Sequence, residues 1–469
     1  MVARRQWFVG DDFTFFTLMR LPINWLGVFL PLGRRMWWSY RPLTTDVFFS
    51  LGFRLFGYEP FGYLAVSLAA HFLAAPLVYR LARQLSFDSR VAIVAALLSV
   101  SRYPSLVQGF WISVVQYTVT MLFFLTCVSL FFDYAQSRRR RFLLGCCVAL
   151  VLALLSNEVS ATLPGVLLLV SLYVDRFALT AASLLRSLRR TVVPLVLVSA
   201  YLVLRIFLIG PGLQNPLYTV TLGWHVLSNY ERDLLFVFDN QTARVLAAAL
   251  LALAVLSIAV GSRRLGRPAL AWLLRTNLLC LGWLSVVLVP YVGFGYPFPR
   301  FAIPAEVPAC LLFASYLNVL SRLVRGKLST AFDLGLIALV VGSIPYATLR
   351  ERFQHPDGLS AKQFVELVQR SDPPLPRGAT VVVAYGADGL VDSSRAADFS
   401  FRVGQGAALH TFFPDKRLKL LLLDLSQPTP KDLRCPPCLV LGLRPGPSGD
   451  IADYTVVRWP SGPPSTAGS

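Results

Sequence analysis

The chain has 469 residues, of which 55% are hydrophobic and 15% charged, with a mean hydropathy of +0.59; this excludes an ordinary water-soluble domain and suits a polytopic membrane protein. A formal charge of +19 would suit a nucleic-acid binder only if it were spread over a soluble surface, and it is not: residues 1–349 hold 30 Lys and Arg against 13 Asp and Glu, and residues 350–469 hold 14 against 12. The excess belongs to the apolar part, where it reads as topology, and no nucleic-acid partner is implied.

The first notable stretch is GDDFTFF, Gly10 to Phe16, which sets Asp11 and Asp12 side by side. The first 58 residues also carry seven Arg, among them Arg4, Arg5, Arg34 and Arg35, and a basic start resists translocation. No signal-peptide pattern precedes them, and Leu21 to Gly33 is too short to span a bilayer. With Asp11 and Asp12 outside the cytoplasm, the reading therefore expects a further transmembrane helix ahead of the given start. Residues 34–63 interleave aromatic side chains with Arg34, Arg35, Arg41, Asp46 and Arg54. Trp37, Trp38, Phe48, Phe49 and Phe53 suit a helix lying in the interface with its aromatic face toward lipid; a simple anchoring belt is the plainer reading.

Apolar segments near spanning length then follow at 60–83, 90–103, 112–134, 142–157, 160–175, 191–210, 243–261, 269–291, 301–320 and 329–348, giving about ten spans. Between alternate spans lie Arg80, Arg83 and Arg90; Arg138 to Arg141; Arg176, Arg186, Arg189 and Arg190; Arg263, Arg264 and Arg267; and Arg322, Arg325 and Lys327. These clusters mark the cytoplasmic side. The segment around Asp12, the loops near 104–111, 157–160, 211–242 and 292–300, and everything after Leu349 then lie outside it.

The tail changes character. AKQFVELVQR reads as an amphipathic helix, and TVVVAY, LKLLLLDL, CLVLGL and YTVVRW as short strands between Pro- and Gly-rich turns. The expected fold is thus an all-α polytopic membrane domain followed by a small α/β extracytoplasmic domain. Its divisions are a first outer loop with interfacial helices at 1–58, a multi-span domain at 59–349, the α/β domain at 350–455 and a strand end with disordered tail at 456–469. Cys435 and Cys438 form a CPPC whose spacing fits a local disulfide, two free thiols or a redox pair; the remaining five Cys lie in spans as small apolar fillers. His71, mid-span, reads as a packed helix-contact residue rather than a proton relay.

An ionisable group at membrane depth costs roughly 2.5–3.5 kcal/mol on insertion scales, so each is a candidate for function. Glu158 follows LALLSN at the outer end of one span, Arg205 lies about one turn from the outer end of another, Arg300 begins a third and Glu306 lies two turns inside it. Arg275 and Asp333 lie nearer the cytoplasmic ends and read as snorkelling residues. Several spans thus present charge at one depth. Arginine matches phosphate oxygens with a rigid fork, and a carboxylate can take the proton of an attacking hydroxyl or hold a divalent cation. Together they suit group transfer from a lipid phosphate to a hydroxyl acceptor. The other class is a transporter or flippase of lipid-linked or anionic solutes; such proteins place polar groups near the midplane rather than at one end.

Three stretches carry a family resemblance: residues 40–85 with Arg-Pro-Leu at 41–43, LLSNEVSATLPGVLLL, and PFPRFAIPAEVPACLLFASY. Over roughly residues 10–320 the sequence resembles the GT-C superfamily of membrane glycosyltransferases, with the bacterial multi-pass members and the TPR-containing protein O-mannosyltransferases nearest. The resemblance implies inverting transfer of a sugar from a polyprenyl-phosphate donor to a glycan, lipid or protein acceptor. The site would lie on the outer face of the plasma (inner) membrane, with an acid of the first outer loop as general base. Asp12, or Asp11, matches that acid, Glu158 the second acidic position, Arg41 the Arg-Pro-Leu arginine, and Arg300 an arginine facing the donor phosphate; Arg205, Glu306 and Asn157 complete the candidate binding residues. Asn157 stands where relatives usually have Lys, Gln116-Tyr117 where an acid is often found, and no TPR array follows. Some members of the superfamily use a divalent cation and others do not, so the resemblance leaves a metal open.

Overall fold

The computed structural model describes residues 8, 10–19, 28–29, 40–101, 111–209, 223–237, 255, 259, 266–293, 303–324, 329–341, 357–371, 374–386, 390–393, 396, 399–400, 403–426, 438–445 and 451–456. Most of the described residues are helical. Contacts divide the chain into two units: one joins Met1–Pro22, Gly52–Gly62 and Glu351–Ser469, and the other joins Ile23–Leu51 and Tyr63–Arg350.

The larger unit is a helical bundle. A π-helical turn at Pro42–Val47 leads into α2 (Phe48–Phe56), inside which the unit boundary falls, and then come α3 (Pro60–Gln84), α4 (Ser89–Ser101), α5 (Val115–Ser137), α6 (Arg140–Leu154), α7 (Leu163–Val174), α8 (Ala181–Ile209), α9 (His225–Val237), α10 (Gly266–Val292), α11 (Ile303–Ser321) and α12 (Ser329–Val341). Five are long and apolar enough to cross a membrane, α5 counted from Ile112. The other expected spans at 90–103, 142–157, 160–175 and 329–348 correspond to shorter helices, and most of 243–261 lies outside the described residues. Burial separates centre from rim: 89% of the apolar window of α11 is buried, against 28% of that of α8. On α8, Leu202, Val203, Ile206 and Phe207 are exposed, which a water-facing helix would not tolerate but a lipid-facing one requires.

Small residues set the closest helix approaches. A Cβ on Gly165 of α7 would meet Val286 of α10 at 2.9 Å, and one on Gly282 of α10 would meet Leu169 of α7 at 2.9 Å. The α5–α6 connection turns on Arg138, whose φ of 59° closes the helix while its N–H donates to the Tyr134 carbonyl at 2.8 Å. On the side read as cytoplasmic, Asp333 pairs with Arg90 at 2.9 Å instead of extending alone, and Arg190, only 5% exposed, pairs with Asp175 at 3.0 Å. His71 makes a 2.9 Å hydrogen bond to the Val100 carbonyl, in keeping with a packing role.

Of the aromatic residues of α2, Phe49 turns inward rather than toward lipid, while Phe48 and Phe53 are half-buried. Phe49 is fully buried with its ring 6.1 Å from that of Tyr63, while Leu51 and Leu55 supply the exposed apolar side. Trp37 and Trp38 lie outside the described residues.

In the smaller unit, α1 (Asp11–Met19) and the residues after α2 pack with the tail. Phe13 rests against Phe412, Phe16 against Phe53 and Tyr58, and the Thr411 hydroxyl donates to the Phe13 carbonyl at 3.0 Å. The tail supplies α13 (Asp357–Gln369), α14 (Ala407–Phe412) and a four-stranded sheet of β1 (Thr380–Tyr385), β2 (Lys419–Asp424), β3 (Cys438–Pro445) and β4 (Ile451–Val456) in the order β2-β1-β3-β4. Central β1 lies parallel to both β2 and β3, and β4 closes the edge antiparallel to β3. The near-continuous apolar run of β1, buried from Val381 to Ala384, is what a strand covered on both faces requires. The expected fourth strand starts three residues earlier than YTVVRW suggested. Cys438 is disulfide-bonded, and Cys435 lies outside the described residues.

Candidate functional site

Within the bundle, four side chains far apart in sequence meet. The backbone first fixes their frame: the Leu43 N–H donates to the Leu155 carbonyl at 3.1 Å, and the Thr44 hydroxyl donates to the Ser156 carbonyl at 2.6 Å. These bonds tie the start of the π-helical turn to the end of α6, so Arg41 is delivered beside Glu158. Asn157 caps the following 3-10 turn, its side-chain oxygen accepting from the Val159 N–H at 3.0 Å, and Glu158 is the first residue of that turn. Arg41 Nε then donates to Glu158 Oε2 at 2.5 Å, and Arg41 Nη1 donates to Gln116 Oε1 at the start of α5. Arg205, in the last two turns of α8, brings Nη2 to 3.7 Å from Glu158 Oε1. One carboxylate is thus held between two guanidinium groups.

Tyrosines wall the cluster. Tyr201 lies one turn before Arg205, its hydroxyl donating to the Tyr40 carbonyl at 3.4 Å, and the two rings are 6.2 Å apart. The Tyr40 hydroxyl in turn donates to the Phe29 carbonyl at 2.9 Å.

Burial pushes the Glu158 carboxyl up, but Arg41 and Arg205 outweigh it and hold the group below its ordinary value. Burial works against the Arg41 cation too, and Glu158 reverses it, raising that guanidinium above its usual value. Glu158 and Arg41 are therefore both charged at neutral pH. The cluster carries two positive charges against one negative, a net positive charge in a partly buried place, which favours an anion.

The donors point the same way. Arg205 Nε, Asn157 Nδ2 and Ser160 Oγ are buried and have no hydrogen-bond partner among the described residues. Each such group costs about 1–3 kcal/mol when left unmet. A ligand with several acceptor oxygens would satisfy donors of this kind.

Other expected site residues fall elsewhere. Asp11 is exposed and Asp12 only 1% exposed, both in the first turn of α1 in the smaller unit. Glu306 is 1% exposed in the first turn of α11. Arg300 lies outside the described residues. Gln116 joins the cluster although the sequence marked it only as a departure from the family's acid, and Tyr40, Tyr201 and Ser160 had no sequence signal beyond their neighbours. Among the described residues no three His, Cys, Asp or Glu side chains converge as a metal site. A cation at Glu158 would have to compete with two guanidinium groups for its oxygens, and the donor set in hand does not fit one.

No family model and no curated protein sequence matches the chain. Solved structures similar to it are known at low identity. An oligosaccharyltransferase from Archaeoglobus fulgidus, solved with Zn and sulfate, is 14% identical at a TM-score of 0.43, the likeness covering 85% of this chain and 58% of that one. The chain thus spans a little over half of that protein's length. ArnT from Cupriavidus metallidurans, bound to undecaprenyl phosphate, is 16% identical at a TM-score of 0.49, covering 89% of this chain and 87% of that one. Both scores lie below 0.5, and neither likeness assigns a substrate or a residue role to this chain.

Proposed function

We propose that this protein is a multi-pass membrane glycosyltransferase that moves a sugar from a polyprenyl-phosphate donor to an acceptor hydroxyl on the outer face of the plasma (inner) membrane, with inversion. The carrying observation is the pair Arg41 and Arg205 fixed on Glu158, with Arg205 Nε, Asn157 Nδ2 and Ser160 Oγ unfilled beside them. A phosphate monoanion in a diester presents the oxygens those donors lack.

In the proposed reaction the acceptor oxygen attacks the anomeric carbon from the side opposite the phosphate. The bond from that carbon to the phosphate oxygen breaks, and its electron pair leaves on the lipid phosphate. Arg41 and Arg205 meet the charge that develops there, a stabilisation that grows toward the transition state and so raises rate rather than binding alone. Arg300 is a third arginine for the same phosphate, on the resemblance. Glu158 keeps the two guanidinium groups aimed; a carboxyl held below its ordinary value is a poor proton acceptor at neutral pH. The acceptor's proton goes to Asp12, the acid of the first outer segment that the resemblance assigns as base. The acceptor is a glycan, a lipid or a protein, and the extracytoplasmic α/β part is its docking platform.

The test is release of polyprenyl phosphate from a panel of polyprenyl-phosphate sugars, using membranes that contain the protein, Asp12→Asn or Glu158→Gln. Release that depends on both carboxylates supports the transferase and names the sugar. No release from any donor by correctly inserted protein would move the assignment to a transporter of lipid-linked or anionic solutes.

A further inference from the structure

A groove opens on the surface of the bundle among α3, α5 and α6. It is lined by Leu73 and Pro76 of α3, Phe123 of α5 and Leu144 and Val148 of α6, and its volume is about 690 Å³. Leu73, Leu144 and Val148 are exposed, and apolar side chains in that position suit contact with hydrocarbon. Gly145, which also lines the groove, brings α6 close against α5, since a Cβ there would meet Leu130 at 3.0 Å.

One end of the groove is charged. Arg141 lines it from the first turn of α6 and closes the run Arg138 to Arg141, all four exposed. Among the described residues none of the four has a carboxylate within ion-pair distance, and the Arg141 guanidinium lies over the Phe142 ring, 4.9 Å from its centroid. Asp133 of α5 does not supply one: it pairs with Arg80 at 2.5 Å and accepts from Gln84 Nε2 at 2.7 Å. Arg140 and Arg141 also work against the dipole of α6, whose first turn favours acids. An anion beside Arg141 would offset both.

The length of the groove narrows the occupant. From Arg141 to Leu152, the lining residue farthest along α6, is about 16 Å of helix. One leaflet of a hydrocarbon core is about 15 Å deep. A ligand that fills the groove thus has an anionic head at Arg141 and an apolar chain that reaches through one leaflet.

We propose that this groove seats an anionic phospholipid of the leaflet on the side read as cytoplasmic, its head held by Arg141 and one acyl chain lying along α3 and α6. The seat is separate from the arginine cluster, because Arg141 begins α6 whereas Glu158 follows that helix's other end. A zwitterionic head is disfavoured there, since its ammonium group would bring a further cation beside four unpaired arginines.

The test is native mass spectrometry of the full chain in detergent, given equal amounts of phosphatidylglycerol and phosphatidylcholine with the same acyl chains. Wild type is expected to retain the anionic lipid about fivefold over the zwitterionic one, the worth of one basic residue near a membrane surface. Arg141→Ala brings that ratio near parity while retaining phosphatidylcholine like wild type, which also shows that the variant is folded. Arg139→Ala, which changes an arginine outside the groove lining, keeps the preference. Val148→Trp and Leu144→Trp, which fill the groove from exposed positions, lower retention of both lipids with the unfolding midpoint unchanged. Equal retention of the two lipids by wild type would overturn the proposal, and so would an unaltered ratio in Arg141→Ala. A loss in Arg139→Ala as large as in Arg141→Ala would reduce the effect to diffuse surface charge, and full retention by both Trp variants would remove the chain from the groove; either result overturns it. So would a second copy of the chain in place of lipid, seen as a dimer that Val148→Trp breaks.

Discussion

The bundle and the smaller unit both place carboxylates among aromatic side chains, yet they treat them differently. In the bundle, Glu158 draws in Arg41, Gln116 and Arg205 from three other segments, and donors around it remain unfilled. In the smaller unit, Asp11 and Asp12 occupy the first turn of α1, where any acid is favoured by the unpaired backbone N–H groups of a helix start. The surrounding rings of Phe8, Phe13 and Phe16 form an ordinary packed core. A buried charge is informative through what it fails to explain locally. The Asp11/Asp12 pair has a sufficient local reason, and the Glu158 cluster does not.

The hardest test of that contrast is Asp12→Asn. If the first-turn acid is also the base, release of polyprenyl phosphate falls by about 10²–10⁴-fold, the usual worth of a positioned proton acceptor, with expression unchanged. Full activity in this variant would reduce Asp12 to its helix-start role and break the base assignment. Next in size is Arg205→Ala, expected to lower kcat/KM for the donor by about 10²–10³-fold, as for loss of one donor to developing negative charge. A fall in stability without a fall in kcat/KM would return Arg205 to a purely structural ion pair.

A smaller effect sharpens the role of Glu158. If it serves by holding the arginines, Arg41→Ala and Glu158→Gln act on one unit, and the double variant loses much less activity than the product of the two single losses, with a coupling of about 0.5–3 kcal/mol. Strict additivity, measured as kcat/KM across the four proteins, would show that the 2.5 Å contact between Arg41 and Glu158 has no bearing on turnover.

Sequence reasoning reached the membrane class, the sheet-bearing tail and three members of the cluster, Glu158 and Arg205 because charge at one depth is costly enough to stand out against an apolar background, and Arg41 through the Arg-Pro-Leu of the resemblance. Arg41, Glu158 and Arg205 were legible one by one, but their meeting was not: it depends on the hydrogen bonds from Leu43 and Thr44 to Leu155 and Ser156, which leave no trace in composition. Gln116 was obscured because a neutral amide is unremarkable at a helix start. The lipid-facing reading of Phe49 failed for a related reason. An aromatic residue among arginines fits an interface by type alone, whereas here its ring is covered by Tyr63. Asp233, fully buried on α9, was legible in principle, as an acid on the apolar stripe of an amphipathic segment, but the stripe is short and flanked by the charged pair Glu231 and Arg232, which hides it.

The buried Asp233 also bears on stability. Its carboxyl is pushed up to about 7 in the folded chain, while in the unfolded chain an Asp titrates near 3.9. Between about pH 4 and pH 7 the folded state therefore holds a proton that the unfolded state releases. Stability from this group is lost as pH rises through that window, since stability rises with pH only where the unfolded state binds more protons. Asp233→Asn removes the charge and hence the loss. In detergent, without ligand, the variant is expected to gain relative to wild type as pH goes from 5 to 8, by about 2 °C or more in unfolding midpoint. A difference in midpoint that stays constant between those pH values would mean that Asp233 is solvated or paired in solution, and the contrast with Glu158, whose partners hold its carboxyl down, would lose one of its two sides.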